Sequence, residues 1–167
     1  MTMLIQRVNI LCSTVLHISI DRLNYIIANI EKFYIEYQKP KRDKNGAKRL
    51  NKPQYQERYG KYWSRTINPP HEELKNIQKC INGYLVNNIP MPDFAYGGVE
   101  KKDNILNAKQ HKGRKYVFQT DLTDFYPFIS CKSVYEMFVR VGFSADVASK
   151  LTKLTTFKGH LPQGAPT

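Results

Sequence analysis

Cysteine is sparse in this 167-residue chain, and histidine is scattered. Cys12, Cys80 and Cys131 are far apart and odd in number, which argues against a disulfide framework or a cysteine-based zinc site. Neither His71 nor His111 has a partner at metal-ligand spacing. Long apolar runs are also missing, since no stretch approaches the ~18–20 residues of a transmembrane helix. Arg7 followed by Val8 to Ile20 has the outline of a signal peptide, but Asn9 and His17 interrupt it and no small-residue cleavage site follows. The expectation is a cytoplasmic chain without a membrane partner. No internal repeat or low-complexity tract occurs.

Acidic residues are the other shortage, 14 against 26 Lys and Arg, for a net charge of +12. The excess is clustered. Residues 39–65 hold ten basic and two acidic side chains, and residues 100–117 hold six and two. Tyr55, Tyr59, Tyr62 and Trp63 are interleaved with the first cluster. Such a mixture suits a phosphate backbone and unstacked bases, through counterion release and stacking. A solvated basic loop without a ligand is the alternative on these residues alone. An apolar content of 41% with 12% aromatics describes one globular core, a single domain or a piece of one.

The most informative stretch is 116–129, Tyr-Val-Phe-Gln-Thr-Asp-Leu-Thr-Asp-Phe-Tyr-Pro-Phe-Ile. The β-prone run Tyr116 to Phe118 predicts a strand that Pro127 cannot continue, with Asp121 at its end. A carboxylate held there suits Mg²⁺, which takes oxygen ligands and keeps waters for substrate phosphates to displace. An ordinary turn or helix-cap aspartate is the alternative.

Elsewhere, Ser19 or Asp21 caps a helix whose Leu23, Ile26, Ile27, Ile30 and Phe33 share a core-facing stripe. From Lys39 to Tyr62 periodicity fails, and Asp43-Lys44-Asn45-Gly46 marks a turn, so a long hairpin or loop is expected. Pro69 or Pro70 starts a helix with Glu72 and Glu73 in its first turn, loosened at Asn82-Gly83 and packed under a sheet. Residues 87–98 read as a loop. A short helix runs from Ser133 to Val139, and Ser144 caps another through Val147, Leu151 and Leu154, ended by Gly159.

Asp121 to Ile129, together with the closing Leu161-Pro162-Gln163-Gly164-Ala165-Pro166-Thr167, resembles two ordered motifs of bacterial reverse transcriptases of the retron and group II intron type. The first is similar to motif A of that family and the second to the opening of motif B. Upstream, Arg65-Thr66-Ile67-Asn68-Pro69-Pro70 with Leu74-Lys75-Asn76-Ile77-Gln78 resembles its fingers segment. Phe94-Ala95-Tyr96-Gly97, Asn104 to Ala108 and His111 resemble the stretch before motif A.

The resemblance implies an α+β fold, the fingers and first part of the palm of a right-hand polymerase. It divides the chain into an N-terminal helical segment (1–36), fingers with a basic loop (37–115), a first palm strand with motif A (116–132), a second fingers segment (133–160) and the start of motif B (161–167). It makes Asp121 the catalytic ligand of two Mg²⁺ ions, with the Leu122 carbonyl completing one shell. Arg65 would contact the triphosphate with a lysine that stays ambiguous among Lys41, Lys44 and Lys61. Tyr126 would be the steric gate against ribonucleotides, and Gln163 and Gly164 would line the incoming nucleotide. Asp124, at a variable position, reads as a local cap. The implied partners are an RNA template, a DNA or RNA primer, deoxynucleotides and a structured noncoding RNA.

Two parts of the family pattern have no counterpart, the Tyr-x-Asp-Asp hairpin of motif C and the thumb. The chain alone is therefore expected to be inactive, with uncovered apolar surface and marginal stability or self-association. A noncatalytic basic nucleic-acid-binding module, and a template-independent nucleotide-adding relative of the abortive-infection type, are the other two readings.

Overall fold

The computed structural model describes residues 4–122 and 124–166, apart from the side chains of Arg58 and Tyr59. Thr123 of the acidic and aromatic stretch, Thr167 of the closing stretch and the Tyr59 ring lie outside the described residues.

The chain begins with α1 (Val8–Leu11), which widens into a π-helical turn over Cys12–Leu16. Ser19 then caps α2 (Ile20–Ala28) by accepting a hydrogen bond from the Arg22 N–H. A short 3-10 turn over Ile30–Phe33 ends α2's course, so the predicted stripe divides between two elements at Asn29. β1 (Tyr37–Pro40) pairs antiparallel with β2 (Ser64–Ile67), with Lys39 opposite Arg65. Between them the chain makes the expected long hairpin. Asp43 Oδ1 accepts from the Asn45 and Ala47 N–H groups, and Gly46 takes the left-handed backbone that closes the turn. Pro53 at the start of α3 (Pro53–Tyr59) pre-sets a helical φ within the hairpin, an element absent from the sequence expectation.

α4 (Glu72–Asn88) runs unbroken through Asn82-Gly83. The cost of an interior glycine, ~1 kcal/mol, is outweighed because Leu74, Ile77 and Ile81 are buried on one face. That face meets the π-helical turn and α8 (Ala145–Thr155), not a sheet, which corrects the expected position of this helix. α5 (Asn104–Gln110), capped by Asp103, buries nothing, and α6 (Phe125–Phe128) is a single turn. α7 (Cys131–Val141) starts two residues before the expected Ser133, since Ser130 is the residue that accepts from the Ser133 N–H. Ser144 caps α8 as expected.

α7 and α8 pack on each other, and α8 also meets α1, α2 and α4. Their shared core holds Leu11, Leu23, Ile26, Phe138, Leu151 and Leu154. Among the described residues the fold is thus a helical body with one two-stranded ribbon.

Tyr116 to Phe118 forms no strand; Tyr116 is 83% and Phe118 92% exposed. A β-prone run becomes a strand only against a pairing edge, and among the described residues no edge pairs with it. No single helix among the described residues is long and apolar enough to cross a membrane. The pair Val8–Leu16 and Ile20–Ala28 is bent by 93° and buries Leu11, Leu16, Leu23 and Ile26 in the core.

A buried polar link ties the ribbon's base to the body. Gln78 Nε2 donates to Tyr34 Oη at 2.7 Å and to the Leu154 carbonyl at 2.8 Å, and the Tyr34 ring lies against Phe157. Burial pushes the Tyr34 hydroxyl up to about 12, partly offset by the Gln78 hydrogen bond. Since tyrosine ionises near 10 in an unfolded chain, the folded state holds this proton more tightly. Its contribution, on the order of 2–3 kcal/mol, is fully present below about pH 10 and disappears as pH rises to about 12. Urea denaturation across that interval should show the loss in the native chain and a flatter profile in Tyr34→Phe.

Candidate nucleotide and nucleic-acid site

Three distant segments are joined by backbone hydrogen bonds into one surface. The Asn68 N–H, just after β2, donates to the Gln163 carbonyl at 2.8 Å. Leu161 N–H donates to the Ile129 carbonyl at 2.9 Å, and Cys131 N–H to the Gly159 carbonyl at 2.8 Å. The turn that delivers Leu161 is a tight one: Phe157 and His160 exchange both backbone hydrogen bonds, with Lys158 and Gly159 at positive φ. Lys158 Nζ then reaches Glu36 at 3.0 Å, and Asn68 Nδ2 donates to the same Glu36 oxygen. These two contacts, Lys158 first, lower the Glu36 carboxyl below its ordinary range.

Gly164 is where the closing stretch comes nearest to β2. Its φ is +103°, and a Cβ added there would lie 2.8 Å from Ile67 Cγ2. Ile67 is buried and β-branched, so it has little freedom to turn away. Gly164→Ala is expected to cost about 1–3 kcal/mol of local docking, read as roughly 5- to 150-fold faster hydrogen exchange of the Asn68 amide, with α8 amides unchanged.

Arg65 lies on β2, two residues before Ile67, so it shares the strand whose C-terminal end Gln163 and Gly164 approach. Arg65 lines an open cleft of about 530 Å³ with Lys39, Pro40, Lys41 and Arg42. Every charged group lining it is cationic, which suits an anion with several oxygens. Of the three candidate lysines, Lys41 lines this cleft, Lys44 sits in the Asp43–Gly46 turn, and Lys61 lies by the Tyr62 ring. Sequence reasoning passed over Lys39 and Arg42. Lys39 faces Arg65 through the strand register, which no local pattern discloses across an intervening helix.

Asp121 and Leu122 lie in an exposed irregular stretch, not at a strand end. Tyr126 follows in α6, its ring edge-on to Phe125 at 5.6 Å. Asp124 occupies the N-cap position of that turn at φ 53°, yet its side chain makes no capping hydrogen bond, which corrects the reading of it as a cap. Instead it lines a second cavity with Arg49, Leu50, Asn51, Lys52, Tyr55, Trp63 and Ser64. That contact sets the acidic turn beside the start of β2. Among the described residues no group of three or more His, Cys, Asp or Glu side chains is placed to hold a metal ion. Asp121 is the hard oxygen donor that Mg²⁺ takes, but one carboxylate does not make a two-metal cage.

No protein-family model matches the chain. Curated proteins do. The retron Se72 reverse transcriptase of Salmonella heidelberg is 33% identical over 153 residues, covering 91% of this chain and 36% of its own length. The retron Ec86 reverse transcriptase of Escherichia coli is 36% identical over 103 residues, covering 61% of this chain and 32% of its own length. This chain is homologous to part of the retron reverse transcriptases. The retron Mx162 reverse transcriptase of Myxococcus xanthus matches as well, at 31% over 121 residues. The chain spans about a third of the length of the first two retron relatives, at 36% and 32%. The small ribbon and mixed helical body are compatible with a reverse-transcriptase-like fold.

Proposed function

We propose that this chain is the N-terminal part of an RNA-directed DNA polymerase of the retron type. In this reading residues 1–36 form the N-terminal helical segment, 37–115 the fingers, 116–132 the first palm strand with motif A, 133–160 a second fingers segment and 161–167 the start of motif B. The observation that carries it is the joining of Arg65–Asn68 to Leu161–Gly164 through Asn68 and Gly164. Those are two of the stretches that resemble polymerase motifs, far apart in sequence and adjacent in space.

Roles follow from chemistry at each position. Arg65, with Lys41 and Lys39 beside it, presents donors and fixed positive charge to a deoxynucleotide triphosphate. Gly164 lets backbone approach closely where a side chain would intrude, and Gln163 flanks it. Tyr126 supplies an aromatic wall beneath the sugar and rejects a 2′-hydroxyl by overlap. Asp121 and the Leu122 carbonyl are this chain's share of the Mg²⁺ ligands, and the other carboxylates come from a segment outside it. The chemistry such ions supply is stabilisation of charge on the attacking primer oxygen and on the leaving pyrophosphate.

The unpaired run Tyr116 to Phe118 supports the same reading. Its exposed side chains, with Leu122 and Phe128, form the surface a further palm strand would cover. An RNA template, a primer and a structured noncoding RNA are the partners this assigns, and the basic hairpin gives them a surface.

Primer extension tests the proposal. With Mg²⁺, an RNA template and deoxynucleotides, the 167-residue chain alone should extend nothing. A polymerase assembled from this chain and the remaining segments of a retron reverse transcriptase should copy the template. Robust extension by the isolated chain, or template-independent addition by the assembled one, would overturn it.

A further inference from the structure

The cavity beside Trp63 differs in kind from the cationic cleft at Arg65. Its volume is about 530 Å³, within the range of small-ligand sites, and its walls combine two aromatic rings, Trp63 and Tyr55, with Leu50. Arg49 and Lys52 are its cations, and Asp124 its carboxylate. The rings are only partly covered, Trp63 at 40% and Tyr55 at 48% exposure.

Two cations lie over the Trp63 ring. Lys41 Nζ lies 3.7 Å from its ring centroid and the Arg49 guanidinium 5.0 Å. The backbone around it closes a three-way junction: Lys41 N–H donates to the Trp63 carbonyl, Trp63 N–H to Arg49, and Arg49 N–H to Lys41. A ring fixed this way loses little freedom when something stacks on it.

We propose that this cavity binds one unpaired nucleotide of a single-stranded RNA, its base against Trp63 and Tyr55 and its phosphate between Arg49 and Lys52. Aromatic faces stack on bases that are already unstacked, whereas duplex bases have their faces occupied. The local charge excess of residues 39–65 supplies the backbone attraction. Asp124 offers an acceptor to the hydrogen-bonding edge of the base and lies in the acidic turn, so the bound nucleotide sits next to that turn. That the strand is the template rests on the polymerase reading above; binding itself does not.

Trp63 is the only tryptophan, so its emission reports this cavity directly. The 167-residue chain is titrated at low salt with a short oligouridylate, and separately with a blunt RNA duplex of the same length. Oligouridylate should quench Trp63 saturably and the duplex should not. Tyr55→Ala and Lys52→Gln, both on exposed side chains, should each weaken apparent affinity about tenfold. Lys132→Gln, on α7, should leave it within about twofold. Equal quenching by the duplex, or unchanged affinity in both variants, would overturn the assignment. Primer copying by the assembled polymerase without any Trp63 response overturns this site alone. A Trp63 response without copying leaves the site and overturns the polymerase reading.

Discussion

Asp121→Asn should abolish nucleotide addition by the assembled polymerase while leaving the melting of this chain unchanged. The two halves of that expectation have separate grounds. Asp121 is exposed and lies in no helix or strand, so exchanging its carboxylate for an amide removes no packing. Chemistry is another matter, because an amide oxygen carries no net charge to hold a divalent ion. Metal assistance is worth several kcal/mol in the transition state, and each 1.36 kcal/mol is tenfold in rate. The expected loss is about a thousandfold or more in primer extension. Raising Mg²⁺ should recover little, since the defect is in ligand charge rather than ion supply. A variant that kept more than about a tenth of the rate would remove Asp121 from the metal site and return it to an ordinary turn residue.

Asp124 is the natural comparison. It is three residues away in the same acidic turn, but it faces the Trp63 cavity. In the roles proposed above, the two carboxylates divide chemistry from strand binding within one short segment.

What the residues disclosed by themselves was mostly what depends on near neighbours. The Ser19 and Ser144 caps, and the Asp43 to Gly46 turn, close hydrogen bonds within three or four residues, and each was legible. The strand expected at Tyr116 was not formed, because strand formation requires a partner and β propensity only describes fitness for one. Asn82-Gly83, expected to loosen α4, leaves it unbroken for the opposite reason: tertiary burial of Ile77 and Ile81 overrides a local preference. In the site, Arg65, Gln163 and Gly164 were named through resemblance, and the structure joins the stretches that hold them. Lys39 and the Trp63 cavity depend on register and on α3, which no contiguous pattern encodes.

Phe138→Ala is the substitution expected to damage the fold most. Phe138 is 2% exposed and is among the largest side chains fully enclosed in the body. Its ring stands edge-on to Phe143 at 5.8 Å, across the left-handed Gly142 that ends α7. Truncation removes both the transfer term and the aromatic contact and leaves a cavity that two packed helices cannot close, about 3–5 kcal/mol. Against the 5–15 kcal/mol typical of a domain, that is a large fraction, and it lowers the midpoint of thermal unfolding by about 6–20 °C for a chain of this size. Met137, the preceding residue, is 45% exposed, so Met137→Ala should cost less than about 1 kcal/mol and isolates burial as the cause. The consequence reaches the site, because Gly159 and Leu161 bond to Cys131 and Ile129 at the start of α7. Below its lowered midpoint, Phe138→Ala should still quench Trp63 with oligouridylate, since the hairpin closes its own backbone junction. Loss of α7 packing should instead appear first as faster exchange at the Cys131 and Leu161 amides, the two bonds that hold the closing stretch in place.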